Sequence, residues 1–257
     1  MIKATVLGSG TSTGVPTVAC ECETCCSADP RDKRLRTSLL VQTDTSTILI
    51  DTSADFRQQM LNHNILQLDA VLYTHHHFDH IGGFDDLRPF AFRHRKPVEL
   101  FAMSQTLDVL KSTYPYAFGL VESTGASVPD VHVTLIDDEP FLAGDVQVTP
   151  IPLRHGASMR VNGYRFGSLA YCTDTNHIPK ESMDLLIDLD VLIIDGLRWE
   201  PHPTHFTVDE TLAVVEMLRP KRTYLTHIAH QILHDRDSKR LPDGVMFAYD
   251  GLAIESY

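Results

Sequence analysis

The segment His75-His76-His77-Phe78-Asp79-His80 has the spacing H-x-H-x-D-H, three imidazoles and a carboxylate at fixed offsets. Nitrogen and oxygen donors at this density suit divalent metal ions, and short His-rich tracts usually bind metal. The apolar run Ala70-Val71-Leu72-Tyr73 comes directly before it, so a strand end would present the donors at a sheet edge, in an open site. A second group has different chemistry. Cys20, Cys22 and Cys25 form C-x-C-x-x-C, three soft thiolates that need one more donor. His230, three residues after His227, is the candidate fourth ligand. A closed Cys₃His zinc site leaves no position for substrate, so its role would be structural. Cys26 is then a spare and Cys172 a core residue. Five cysteines, four of them packed into seven residues, argue against a disulfide framework.

Further donors follow the same rule of placement. His155 lies just past Ile151-Pro152-Leu153, Asp174 past Ala170-Tyr171-Cys172, and His227 past Tyr224-Leu225-Thr226. Asp51 and Asp195 close two more apolar runs. Ligand sites at strand carboxyl ends are the rule in α/β architectures. On spacing alone, His75 and His77 could grip one ion and Asp79 and His80 a second. His155 and His227 would complete one ion each, and Asp174 could bridge them with its two oxygens.

The elements that must position these groups are legible as alternating patterns. Strands are expected at 2–7, 38–42, 47–50, 70–73, 98–102, 146–151, 169–172, 191–194 and 222–225. Helices are expected at 56–62, 106–112, 180–187 and 207–218. In the last, Thr207-Val208-Asp209-Glu210 is a capping box and Val208, Leu212, Val215 and Leu218 make an apolar stripe. Pro220 stops it. No linker or composition break divides the chain, so residues 1–257 read as a single α/β domain with an N-terminal zinc loop around 16–30.

Composition bounds the partners. The chain has 257 residues, 43% hydrophobic, with a formal net charge of −12. An acidic surface repels polyanions, so no long nucleic acid is expected as a partner. The short basic runs 31–36 and 93–96 read as solvated loops or a local anchor for one phosphate. No apolar stretch is long enough to span a membrane, and the N-terminus lacks signal-peptide features, which points to a cytoplasmic protein and no membrane partner.

The ordered set Asp51, His75-x-His77-x-Asp79-His80, His155, Asp174, His227 resembles the metallo-β-lactamase-fold hydrolase superfamily. The resemblance implies an αββα four-layer sandwich with a dinuclear site at one edge. His75, His77 and His155 would then hold one metal and Asp79, His80 and His227 the other, bridged by Asp174, with Asp51 supporting the loop. The thiolate loop, with Gly14-Val15-Pro16 upstream and Leu225 to Gln231 downstream, resembles the PhnP-type phosphodiesterases of that superfamily. The same loop occurs in PqqB-like proteins, which depart from a complete dinuclear ligand set.

The expected activity is hydrolysis of small, cyclic phosphodiesters, with two Zn²⁺ or Mn²⁺ ions generating hydroxide from a shared water. Asp79 and Asp174 would take part as catalytic ligands. His205, in Pro203-Thr204-His205-Phe206-Thr207, resembles the histidine that such enzymes use to protonate the leaving oxygen. His202, three residues earlier, reads as a surface histidine. The alternatives are an RNA-processing nuclease of the same fold and a non-catalytic PqqB-like carrier of a small molecule. A homodimer is expected by resemblance alone.

Overall fold

The computed structural model describes residues 1–122 and 127–256. Strands Ile2–Gly8 (β1), Ser38–Gln42 (β2), Thr47–Ile50 (β3), Ala70–Leu72 (β4), Val98–Ala102 (β5) and Val131–Leu135 (β6) build one sheet. Phe141–Ala143 (β7), Val146–His155 (β8), Met159–Phe166 (β9), Leu169–Cys172 (β10), Val191–Asp195 (β11), Arg222–Thr226 (β12) and Val245–Phe247 (β13) build the second. Ala253–Ser256 (β14) returns to the first. The spatial orders are β14-β1-β2-β3-β4-β5-β6 and β13-β12-β11-β10-β9-β8-β7, seven strands each.

Three apolar clusters show why these two sheets stack in four layers. Ile48, Ile50, Leu72, Tyr164, Tyr171 and Ile193 belong to the core between the sheets. Leu49, Val71 and Leu100 point the other way, onto helices Phe56–Asn62 and Arg88–His94. On the far side Leu192, Ile194 and Leu225 pack with Val208 and Val214 of helix Val208–Leu218. The inner strands β3, β4, β10, β11 and β12 therefore carry apolar residues on both faces. That explains their continuous rather than alternating apolar runs. The αββα sandwich expected from the resemblance is the observed fold.

The expected strands all form, and β8 continues four residues past the expected end, to His155. Five strands were not expected: β6, β7, β9, β13 and β14. Helix Arg88–His94 was also missed, and of the expected 180–187 helix only Lys180–Met183 is α-helical, continuing as a 3₁₀ turn. The capping box of Thr207 and Glu210 is present. The expected stripe faces the core, with Val208 buried and Leu212, Val215 and Leu218 partly buried against it, and it is widened by the buried Thr211 and Val214. Thr211 is tied to the sheet there by its hydroxyl, which donates to the Asp195 carbonyl at 2.6 Å. Among the described residues no helix is long and apolar enough to cross a membrane.

One reading of the basic run 31–36 is overturned. Arg34 is 1% exposed and Arg36 donates to Asp55, so the run is anchored by a buried arginine rather than being wholly a solvated loop, although Lys33 stays exposed.

Candidate metal centre

β3, β4, β8, β10 and β12 all end on one edge of the sandwich, and the polar residues that follow them meet there. Asp51, Asp174 and His227 adopt left-handed backbone angles, with φ of 64°, 53° and 58°. For residues with a Cβ this conformation is costly and persists only where the surroundings enforce it, most often at functional sites. The chain turns sharply at each strand end and aims the side chain inward.

Two donor groups result. His75, His77 and His155 present ring nitrogens within 4.8 Å of one another, and so do Asp79, His80, Asp174 and His227 with their ligand atoms. Asp174 joins the groups. One of its oxygens lies 3.3 Å from His80 Nε2; the other lies 3.2 Å from His227 Nε2 and 3.9 Å from His75 Nε2. Asp79 reaches His80 Nε2 at 3.3 Å and His227 Nε2 at 3.7 Å. All seven residues singled out from the sequence for this site are brought together. His77 alone among them is exposed.

Three of the imidazoles are aimed by a partner on Nδ1. Asp51 sits within 2.7 Å of His80 Nδ1 and also accepts from the Thr74 amide and hydroxyl, both at 2.8 Å. His155 Nδ1 donates to the Thr204 carbonyl at 2.9 Å, and His75 Nδ1 lies 3.0 Å from the Thr74 hydroxyl. Such contacts fix the tautomer and orientation of metal-binding histidines. Asp51 thus holds the loop and is no member of the donor set, as the resemblance implied.

The electrostatics ask for positive charge. Burial opposes a charged His80, but Asp174, Asp79 and Asp51 around it push its pKa well above the ordinary range. Burial would raise the Asp79 carboxyl, yet His80 and His227 hold it well below its usual value. Burial first, and the neighbouring imidazoles second, drive His75 well down and His155 to about 4, which favours their neutral forms. Meanwhile His80 Nε2 and both ring nitrogens of His227 are buried without a hydrogen-bond partner. Buried polar atoms are rarely left so, and imidazole nitrogens grouped with carboxylates fit divalent cations. The residues present fit the group that the resemblance calls for.

His205 lies on the rim of this cluster, 7% exposed. Its ring stacks on His227 with centroids 4.5 Å apart and meets His155 edge-on at 4.7 Å. Its Nδ1 is 2.7 Å from Asp195, whose same oxygen accepts the Thr175 amide at 2.9 Å. Burial disfavours a charged ring here, but the Asp195 carboxylate outweighs it and lifts the pKa to about 9. Asp195 was noted at a strand end in the sequence but given no role; its distance from His205 in the chain hid the pairing. His202 stands half-exposed beside His205, its Nδ1 engaged by Thr204.

Two arginines also went unassigned. β8 and β9 pair so that Arg154 faces Arg160, one residue from His155. Like charges directly opposite are unfavourable unless an anion relieves them. Arg160 reaches Asp138, while its Nε is buried without a partner.

The thiolates gather apart from this centre. His230 Nδ1 lies 3.2, 3.5 and 3.7 Å from the sulfurs of Cys20, Cys22 and Cys25. Cys22 caps the short helix Glu23–Cys26, and the Cys25 amide donated to its sulfur lowers the thiol to about 6. Cys26 is exposed and Cys172 buried, as expected.

Two stacked, helix-flanked sheets with a buried His/Asp cluster on their shared edge define a metallo-β-lactamase-type hydrolase that binds divalent metal. The chain belongs to this superfamily: residues 46–228 match the beta-lactamase superfamily domain. It is similar over its whole length to the crystal structure of a diphosphatase from the PhnP family, at 43% identity and a TM-score of 0.93, covering 100% of this chain and 98% of that one. Zinc-bound PqqB from Methylobacterium extorquens shares the fold at 21% identity and a TM-score of 0.78, covering 99% and 100%. An octanoyltransferase of Porphyromonas gingivalis is 39% identical over 98% of this chain, but the chain spans only 51% of that protein's length.

Proposed function

We propose that the protein is a phosphodiesterase acting on small, cyclic phosphodiesters, with His205 as the general acid. The observation that carries this reading is the Asp195–His205 pair, 2.7 Å apart and stacked against His227. Two divalent ions, zinc or manganese, would be held by His75, His77 and His155 and by Asp79, His80 and His227, with Asp174 shared, and a third zinc by Cys20, Cys22, Cys25 and His230. When bound, such a pair supplies Lewis acidity at the phosphoryl oxygens and a water acidified toward pH 7.

The chain's own residues supply the rest. Expulsion of an alkoxide needs a proton at the leaving oxygen, and a histidine kept protonated beside a carboxylate can give it from Nε2. Asp195 takes Nδ1, so the proton-bearing Nε2 is the free one. An ester with a good leaving group needs no such help. The overall acidity of the chain, −12, favours a compact substrate over a long polyanion.

The test is hydrolysis of a 2′,3′-cyclic nucleotide beside bis(p-nitrophenyl) phosphate, with Zn²⁺ or Mn²⁺, for wild type and His205→Ala. The mutant should lose roughly 10²–10⁴-fold on the cyclic nucleotide and far less on the p-nitrophenyl ester. Equal losses on both would remove His205 as the acid. No wild-type turnover of either substrate would defeat the phosphodiesterase reading.

A further inference from the structure

Arg34 heads the fully buried side chains by volume, yet nothing in the chemistry above uses it. Four of the five N–H donors of its planar fork are engaged. Nε donates to the Arg31 carbonyl at 3.1 Å, Nη1 to the Ala229 carbonyl at 3.1 Å, and Nη2 to the Ile232 carbonyl at 2.9 Å and to Asp32 at 2.8 Å. The same Asp32 oxygen accepts the His234 amide at 2.9 Å. Two of these acceptors flank His230, and the nearer one is two residues past His227. The guanidinium thus grips the one segment that serves both clusters.

The backbone of Arg34 grips the other half of the thiolate site. Its amide donates to the Val15 carbonyl at 2.7 Å, and the Val15 amide returns the bond to Arg34 at 2.8 Å. Val15 opens the loop that carries the cysteines, and the Thr17 amide lies 3.3 Å from the Cys25 sulfur. Next to Arg34, Lys33 donates to the Cys25 carbonyl at 3.1 Å. One residue therefore registers the cysteine loop against the His230 segment, and that segment against the strand end that bears His227.

A buried ion pair is a poor way to gain stability, because desolvation offsets the attraction and apolar replacements often serve as well. What the fork supplies is geometry: four bonds in one plane, which a lysine ammonium cannot reproduce. We infer that Arg34 is a positioning residue that fixes residues 227–232 and thereby sets the metal affinity of the thiolate cluster and the His/Asp cluster together. This rests on reading both clusters as metal sites, and is independent of the substrate.

The test uses Co²⁺ as the probe on metal-stripped full-length protein. Thiolate ligation gives an intense near-ultraviolet charge-transfer band, whereas histidine and carboxylate ligation gives weak visible bands, so the two sites are read separately. In Arg34→Lys both affinities should fall about 10–100-fold, the range found when groups that orient metal ligands are changed. The measurement is made at a temperature where circular dichroism shows the variant folded. The double variant Asp32→Leu/Arg34→Met leaves no unpaired buried charge. It should still show the joint loss at a temperature where circular dichroism shows it folded. It carries the test alone if the lysine variant does not fold.

Wild-type affinity at both sites in a folded variant would overturn the inference, as would a loss confined to the thiolate site. Failure of the wild type to hydrolyse any phosphodiester would sink the proposed function and leave this result untouched, because no substrate enters the measurement.

Discussion

The thiolate cluster and the His/Asp cluster share one segment, with His227 and His230 three residues apart, yet they are built in opposite ways. The thiolates come from a single loop and a one-turn helix, and Cys20, Cys22 and His230 stay partly exposed. The His/Asp donors come from four different strand ends, those of β4, β8, β10 and β12, and all but His77 are buried. A loop that collects its own ligands can close a tetrahedron by adjusting itself. A site assembled from rigid strand ends cannot adjust, so it keeps lone pairs unspent and three residues in left-handed conformations. The first design suits a staple and the second an open reaction centre.

The sharpest way to break this contrast is Asp174→Ala. Asp174 is the one carboxylate with oxygens facing both donor groups, so its loss should take turnover below about one-thousandth of wild type. Metal analysis should show the thiolate zinc retained and the other ions depleted. A variant that loses all metals equally would show that the two regions are not separable.

Asp195→Asn probes a smaller effect. The amide removes the charge that lifts His205 to about 9 while keeping a similar shape. A general acid must be protonated, so wild-type activity should hold until pH rises toward about 9. In the variant the descending limb should move to lower pH, with kcat down about 10–100-fold. A pH profile of kcat/KM on a cyclic nucleotide reads this directly. An unmoved limb would mean that His205 is not the group titrating.

Why was the centre legible in the sequence when parts of the fold were not? Every donor group follows an apolar run, and the runs of β3, β4, β10 and β11 are almost wholly apolar because both faces are covered. That gives strand and ligand together. β6 and β7 lie at sheet edges, and the exposed Leu135 and Leu142 blur any alternation. β9 was hidden by Arg160 and Asn162, polar residues on a strand that the sheet stacking nonetheless buries or half-buries. Contacts between residues distant in the chain left even less trace. Asp250 in the unremarked tail accepts the Ser9 amide at 2.9 Å and the Leu35 amide at 2.7 Å, and only the folded topology brings those loops together.

The smallest expected effect separates the two regions by their response to acid. His234 begins the short helix after the His230 segment, 5% exposed. Burial, aided by Arg31 and Arg34, pushes its pKa down to about 4 from an ordinary 6.5. Between those values the unfolded chain binds more protons than the native one, so stability rises with pH across the window. The contribution is complete above pH 6.5 and is lost as the pH falls toward 4, on the order of 1–3 kcal/mol. In His234→Gln that part of the slope disappears. Urea midpoints at pH 7 and pH 4.5 should therefore differ less for the variant than for wild type. Parallel shifts in the two proteins would place the acid lability with the carboxylates of the His/Asp cluster, and the thiolate side would lose its distinct pH response.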